Sequence, residues 1–239
     1  MADRVVRCGC FSADAAVDSA FLLPRKEILQ KIGHWAETVI GQHYLRDEVK
    51  RSSFFPENQL APDFHDTNIG SKENYKNFLK RRNPRADPNR IDRLADEREI
   101  WGPDGQILYI PDIMTHDEPR RMEFYEIKPN SIDGAKNGEK KVAFVHSFVQ
   151  FLGLAYQPGE IYLRRGPVRI EIWKGSMFGC NATVEFRFQR DFRVLQGLIV
   201  YDFCVTVDGQ PVRLLVLLLI IALVLYLIIT VPLPVPVPA

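Results

Sequence analysis

Cysteine is scarce in this chain of 239 residues, and its four cysteines are too few for a disulfide scaffold at this length. Cys8 and Cys10 flank one glycine, but no second pair follows at the spacing of a zinc finger. Cys180 and Cys204 lie in apolar stretches. The pattern predicts four reduced, structural cysteines, and lipid attachment at Cys8 and Cys10 is a weaker alternative.

An excess of charge of one sign is also lacking, since 31 basic residues face 30 acidic ones. This balance gives the whole chain no general attraction for nucleic acid or for acidic partners. The N-terminal region lacks the layout of a secretory signal, because Asp14 and Asp18 interrupt its mildly apolar stretch. No internal repeat is visible.

Charge disappears altogether after Arg213. Residues 214–231 are almost wholly apolar, and as a helix they would be about 27 Å long, close to the ~30 Å hydrocarbon core of a bilayer. Alternating prolines then end the helix. The pattern predicts a membrane span, and the alternative is a helix buried by a partner or within an oligomer. Positive charges before the span and none after it predict a tail-anchored protein with a cytoplasmic N-terminal domain.

Helical periodicity is clearest from residue 24 to about residue 49. His43 falls on the apolar stripe of this helix, so we expect a partly buried, hydrogen-bonded histidine rather than a catalytic one. Glu37 falls on the opposite face, where the simplest expectation is a solvated side chain. The stripe repeats at three- and four-residue steps through Ile28, Ile32, Trp35, Ala36, Val39 and Ile40.

Two short helices are predicted after an irregular connection over residues 51–70. The first covers residues 71–82 with Ser71 as N-cap, and the second begins with Asp87 as N-cap and Pro88 in its first turn. Either a phosphate-binding patch or an ordinary solvated helical face accounts for the basic residues here. They are Lys76, Lys80, Arg81, Arg82, Arg85, Arg90 and Arg93.

A hairpin is predicted from two β-prone segments, residues 107–110 and 122–127, which flank a polar break at residues 116–119. Asp112 is placed at the end of the first strand, and Glu126 and Lys128 at the end of the second. Side chains alternate along a strand, so Glu126 and Lys128 project from one face. The pairing is therefore expected to bring two carboxylates and an ammonium group to one edge.

The remaining chain predicts a polar turn over residues 130–138, an apolar helix over residues 140–156, and a run of strands. His146 and Gln150 are four residues apart and share one face of that helix. The strands are expected at residues 160–164, 168–173, 183–189 and 194–207. The fold class is therefore α/β (α+β), with a mixed sheet flanked by helices and a C-terminal hydrophobic helix.

Pro111-Asp112 followed by Glu126-Ile127-Lys128, with a helix after them, resembles the PD-(D/E)xK nuclease superfamily. The resemblance implies a restriction-endonuclease-like fold and a metal-dependent nuclease. By this resemblance Asp112, Glu126 and the backbone oxygen of Ile127 would hold Mg²⁺ or Mn²⁺. Lys128 would serve the attacking water. Hard oxygen ligands suit such a cation.

Further site residues follow from the same resemblance. A polar residue on the helix after the motif is expected, and Gln150 or His146 fits that position. An early-helix acid is also expected, for which Glu37 is the candidate and Glu97 or Glu99 the replacement. The substrate would be nucleic acid, DNA before RNA. The contacts assigned to it are Lys80, Arg81, Arg82, Lys136 and His146.

The string itself is common in this chain, because Glu48-Val49-Lys50 and Glu139-Lys140-Lys141 also fit Glu-x-Lys. The rival hypothesis is a non-enzymatic, tail-anchored scaffold or binding module whose hairpin is only structural. A third setting is a secreted or delivered antibacterial toxin whose hydrophobic stretch is masked by an immunity protein. The predicted organisation is a helical region at 1–99, a nuclease core at 100–212 and a hydrophobic tail at 213–239.

Overall fold

The computed structural model describes residues 6–12, 25–51, 72–100, 102, 107–117, 121–177, 180–191 and 196–208. Helices and strands alternate irregularly along these residues. The helices are α1 (Arg25–Arg51), α2 (Lys72–Arg82), α3 (Pro88–Glu97) and α4 (Ile132–Phe151). The strands are β1 (Val6–Phe11), β2 (Ile113–Asp117), β3 (Arg121–Pro129), β4 (Gln157–Pro158), β5 (Val168–Met177), β6 (Cys180–Arg190) and β7 (Leu198–Asp208).

The described strands form one mixed sheet in the order β2-β3-β7-β6-β5. β3 runs parallel to β7, whereas β2–β3, β6–β7 and β5–β6 are antiparallel. The short β4 pairs with β3, and β1 pairs antiparallel with β7. β3 and β1 use successive parts of the same β7 edge, because β3 pairs with Leu198–Tyr201 and β1 with Phe203–Asp208.

Helices cover both faces of the sheet. α1 packs on one face, where Ile32 and Val39 share a buried cluster with Ile127 of β3. On the other face a second cluster joins Phe124 of β3 to residues of α2, α3 and α4. Phe124 and Ile127 lie on opposite sides of their strand because side chains alternate. The expectation of a mixed sheet flanked by helices is confirmed.

Local sequence rules account for several elements. Ile32, Ala36, Val39 and Ile40 are buried as the periodicity of α1 predicts. Asp87 caps α3 by accepting a hydrogen bond from the Asn89 N–H, with Pro88 in the first turn, as predicted. In β6 the side chains of Ala182, Val184, Phe186 and Phe188 are buried, alternating with more exposed polar neighbours.

Helix α4 begins earlier than the sequence predicts. Residues 130–138 were expected to form a turn, but Ser131 caps a helix that starts at Ile132, and its Oγ accepts a hydrogen bond from the Gly134 N–H at 3.0 Å. Gly138 allows α4 to approach the sheet closely. A Cβ added there would lie 2.4 Å from Leu198 Cδ1. Close packing, rather than a turn, explains this glycine.

The hairpin exists, but its first strand is β2 (Ile113–Asp117) rather than residues 107–110. Residues 107–110 are buried outside that strand. Asp112 therefore precedes β2 instead of ending a strand. The strand predicted at residues 160–164 is also wrong, since this segment turns and Leu163 has a φ of 60°. The strands predicted around β5, β6 and β7 are confirmed.

Among the residues that the structure describes, none of the helices has the length and hydropathy needed to span a bilayer. The predicted span at residues 214–231 lies outside the described residues, as do Asp14, Asp18 and Ser71. The division into regions at residues 99 and 212 stays a prediction.

Candidate metal and phosphodiester site

The site is built where β2 begins and β3 ends. These positions are neighbours because the two strands are antiparallel. The Glu126 N–H donates to the Gly197 carbonyl at 2.8 Å, so Glu126 turns its backbone toward β7. The next residue turns the other way, and the Ile127 N–H donates to Asp112 Oδ2 at 2.7 Å. Asp112 thus closes on the edge of β3 just beyond the last β2–β3 pair.

Two lysines and two carboxylates meet at this edge. Glu126 Oε1 lies 2.8 Å from Lys128 Nζ and 2.9 Å from Lys141 Nζ, a residue of α4. The same Lys141 nitrogen lies 3.2 Å from Asp112 Oδ1. The side chains of Asp112, Glu126 and Lys141 are each 1% exposed, and that of Lys128 is 10% exposed. The predicted convergence of Asp112, Glu126 and Lys128 is present in the structure.

The pKa values of the two motif carboxylates are shifted in opposite directions. Burial and the neighbouring Asp112 charge raise the pKa of Glu126 to about 7, against the pull of both lysines. Burial also opposes ionisation of Asp112. The Lys141 and Lys128 charges and the Ile127 N–H outweigh it and hold the pKa of Asp112 below its usual value. Burial likewise opposes the charge on Lys141, but Asp112 and Glu126 raise its pKa.

Glu37 of α1 joins this cluster, which corrects the expectation of a solvated side chain. Its side chain is buried, and burial together with the Asp112 charge raises its pKa to about 8. Lys128 and Lys141 act in the opposite direction. Of the acids named for the early position, Glu37 is thus the one beside the motif. Glu99 instead binds Lys72, with 2.6 Å between Oε2 and Nζ.

Lys141 was missed by the sequence analysis, although a signal was present. It falls on the buried stripe of α4 with Gly138, Val142, Val145 and Phe148, where a lysine is out of place. It also belongs to the Glu139-Lys140-Lys141 string. Lys141 of this string lies in the site, where the glutamate that it contacts is Glu126.

Oxygen atoms suitable for a hard cation are available here. Glu126 Oε2 is buried and, within the described residues, has no hydrogen-bond partner. An orphaned carboxylate oxygen in a dry site is costly unless a ligand uses it. In a strand, the C=O of a residue points to the same side as its N–H, so the Ile127 carbonyl faces the Asp112 side. Asp112, Glu126 and Ile127 therefore fit a divalent metal ion such as Mg²⁺ or Mn²⁺.

The structure does not bring Gln150 and His146 to these residues. Gln150 is exposed near the end of α4, and nine residues place it on the opposite side of the helix from Lys141. Its amide contacts His146 Nε2 at 3.1 Å, and His146 contacts Gln157 at 3.0 Å. The shared helical face of His146 and Gln150 is confirmed, while their functional roles stay predictions. Outside this cluster, His43 is partly buried and bonded to the Tyr162 hydroxyl, as expected.

The basic patch of α2 and α3 is partly neutralised. Lys80 Nζ lies 2.6 Å from Asp92 Oδ1, and Lys76 Nζ lies 2.5 Å from Glu73 Oε1. Arg81 and Lys136 are exposed on α2 and α4, and Arg82 is partly exposed. The geometry favours ion pairing for Lys76, which is buried, and for the partly exposed Lys80. A nucleic-acid role for the patch stays a prediction.

A disulfide between Cys10 and Cys204 joins β1 to β7, which corrects the expectation that all four cysteines are reduced. The two residues face each other in the β1–β7 register. In the described residues, Cys10, Asp202 and Cys204 are the one group of three acidic, cysteine or histidine residues close enough to share an ion. Asp202 is bound by Arg187 and by the Asn130 amide, and the disulfide occupies both sulfurs.

No protein-family model, curated protein or solved structure matches this chain. The likeness to PD-(D/E)xK nucleases therefore rests on the motif residues and their geometry.

Proposed function

We propose that the protein is a divalent-metal-dependent nuclease with a restriction-endonuclease-like core. The observation that carries the proposal is the convergence of Asp112 and Glu126 on one ammonium nitrogen, with Glu126 Oε2 left buried and without a hydrogen-bond partner in the described residues. Two acids and a lysine gathered at a sheet edge suit phosphodiester hydrolysis, because this reaction needs a metal, a polarised water and compensation of phosphate charge.

Asp112, Glu126 and the Ile127 carbonyl are the residues that would hold the metal ion. The ion would supply a bound water of lowered pKa and offset the charge that builds on the phosphate during in-line attack. Lys128 is less buried than Asp112, Glu126 and Lys141, and its ammonium lies beside Glu126. We assign it the orientation of the attacking water and the support of the phosphate oxygens by hydrogen bonds.

The formal charges of the cluster suit this assignment. Glu37, Asp112 and Glu126 face two lysines, which leaves one net negative charge when every group is ionised. A divalent ion makes the cluster net positive whether or not Glu37 keeps its proton, which suits the negative charge of a phosphodiester. DNA is the first substrate to test, with RNA second. The toxin setting and an immunity partner stay predictions.

The test is plasmid degradation by the full chain with added Mg²⁺ or Mn²⁺. We expect cleavage that EDTA abolishes and that Glu126→Gln lowers by at least about a hundredfold, since the loss of a metal ligand removes several kcal/mol of transition-state stabilisation. Glu139→Gln is the matched control, because it makes the same chemical change on α4 and should retain activity. Cleavage that persists in EDTA or in Glu126→Gln would reject the proposal.

A structural ion cluster in a non-enzymatic scaffold is the second candidate, and the near-complete burial of Asp112, Glu126 and Lys141 favours it. Buried ion pairs can serve the fold alone. In that case metal ions would not raise the melting temperature of the wild-type protein, and no phosphodiester would be cleaved. A metal-dependent rise of the melting temperature that Glu126→Gln removes would exclude a purely structural ion cluster, and cleavage in addition would exclude a non-enzymatic protein.

A further inference from the structure

Lys141 is a buried cation placed between the two carboxylates of the motif. Its Nζ lies 3.2 Å from Asp112 Oδ1 and 2.9 Å from Glu126 Oε1, and its side chain is 1% exposed. The neighbouring Lys128 has its Nζ 2.8 Å from Glu126 Oε1. A single ammonium nitrogen, that of Lys141, therefore bridges the two motif acids.

Apolar packing does not account for a lysine at this point. Lys141 lies on the buried stripe of α4, where its neighbours Val142, Val145 and Phe148 are apolar. Removing an ammonium from water is costly and is compensated only by close, well-placed negative partners. The partners here are the same two acids that the proposed function assigns to the metal.

We propose that Lys141 is the resident cation of the metal-free site and that its ammonium competes with the divalent ion for Asp112 and Glu126. This inference rests on the proposed function. The ammonium keeps the two carboxylates together when no metal is bound, and it must withdraw from at least one of them when a metal binds. Lys141 is thus a positioning residue that sets the metal affinity of the site.

The proposed competition predicts how removal of the Lys141 charge changes the affinity of the site for a divalent ion. Without the Lys141 charge the fully ionised cluster has two net negative charges instead of one. A divalent ion would then be attracted by a larger negative charge and would not compete with the Lys141 ammonium for the two carboxylates. We expect Lys141→Met to bind Mn²⁺ tighter than the wild type by at least about tenfold, because charges a few Å apart in a buried site interact strongly.

The experiment titrates Mn²⁺ into the full chain by calorimetry and measures the melting temperature with and without Mn²⁺. Lys141→Met is compared with Lys140→Met, which removes the same charge from an exposed neighbour on α4. We expect Lys141→Met to have the lower melting temperature without metal and the larger rise with Mn²⁺. Lys140→Met should follow the wild type in both measurements.

Each outcome of these measurements either supports or rejects the proposed competition. If the wild type binds Mn²⁺ and Lys141→Met binds it equally or more weakly, the competition is rejected and the nuclease proposal stands. If neither protein binds Mn²⁺, the proposed function fails as well. If Lys141→Met and Lys141→Gln fold only with Mn²⁺ present, the metal has replaced the ammonium and the inference is supported. If both remain unfolded with Mn²⁺, it is rejected.

Discussion

The two oxygens of the Glu126 carboxylate have different surroundings. Both oxygens are buried and lack a hydrogen bond of good geometry within the described residues, but Oε1 lies within ion-pair distance of the Lys128 and Lys141 nitrogens. This asymmetry leaves one oxygen available for a ligand while the other is held by cations. Without a metal ion, a proton held between the Glu126 and Asp112 carboxyl groups would satisfy the remaining oxygen, and this proton would leave when a metal binds.

Glu37 gives a prediction for the pH dependence of stability. Its pKa rises from the usual 4.5 to about 8 on folding, so between these values the folded protein keeps a proton that the unfolded chain has lost. The stabilisation from this proton is full below the unfolded pKa. It falls as the pH rises toward 8, by up to about 1.4 kcal/mol per pH unit. Glu37→Gln should lack this loss.

The measurement is urea unfolding in metal-free buffer at about pH 5.5 and about pH 8.5. The free energy of unfolding of Glu37→Gln, minus that of the wild type, should increase as the pH is raised. Glu139→Gln, a partly exposed position on α4, should keep a constant difference from the wild type. Parallel pH profiles for the wild type and Glu37→Gln would contradict a proton held at Glu37.

At the level of single residues, the sequence allowed Asp112, Glu126 and Lys128 to be placed together, because strand alternation and the Glu-x-Lys spacing are local. Glu37 comes from α1, far earlier in the chain, and Lys141 comes from α4, the helix that follows β3. Helical periodicity assigned Glu37 to water because it considers only apolar neighbours, whereas the groups that act on Glu37 include Asp112, Lys128 and Lys141. Only the packing of α1 and α4 against β3 shows where these two side chains meet.

Helix α4 carries the packing that positions the site. Gly138 lies against Leu198 of β7, and an added Cβ would be 3.2 Å from Lys128 Cγ and 2.4 Å from Leu198 Cδ1. The glycine is needed for this close approach, although glycine weakens an isolated helix by roughly 1 kcal/mol relative to alanine. Tertiary packing therefore outweighs helical propensity at this position.

Gly138→Ala should lower the free energy of unfolding by about 1–3 kcal/mol, because overpacking exceeds the gain in helical propensity. Asn137→Ala is the control, since its side chain is exposed in the same turn and the substitution should be neutral or slightly stabilising. Chemical unfolding of both variants would show the difference. A Gly138→Ala protein as stable as Asn137→Ala would mean that Leu198 moves aside without cost.

At the level of elements, strong periodicity was the reliable guide. α1 and β6 follow it closely, whereas the first turns of α4 contain Asp133, Gly134, Asn137 and Gly138 and look like a turn. Their helical state depends on the Ser131 cap and on contact with the sheet. The buried residues 107–110 resemble a strand in composition, but composition does not say which apolar segment finds a pairing partner.

Across the whole molecule, the Cys10–Cys204 disulfide closes a loop that spans nearly all of the described chain, with a sequence separation of 194. Such a loop restricts the unfolded chain strongly. Disulfides persist in oxidising compartments and are rare in the cytosol. A disulfide is unusual in a cytoplasmic domain, and the location of the protein, tail-anchored or delivered, stays a prediction.

Reduction of this disulfide should lower the free energy of unfolding by about 2–4 kcal/mol. The measurement is chemical unfolding with and without dithiothreitol. Cys10→Ser should reproduce the loss, and dithiothreitol should then have no further effect on it. Equal stability of the oxidised and reduced wild type would show that β1 is held in place by its backbone pairing alone.

The division of the β7 edge between β3 and β1 has a consequence for self-association. Along this edge, β7 pairs first with the parallel strand β3 and then with the antiparallel strand β1. If β1 were removed, Phe203–Asp208 would keep its hydrogen bonds to β6 and present an open side to any passing extended peptide. A chain shortened beyond Phe11 should accordingly dimerise or be capped by an added six-residue peptide of the β1 sequence, VRCGCF.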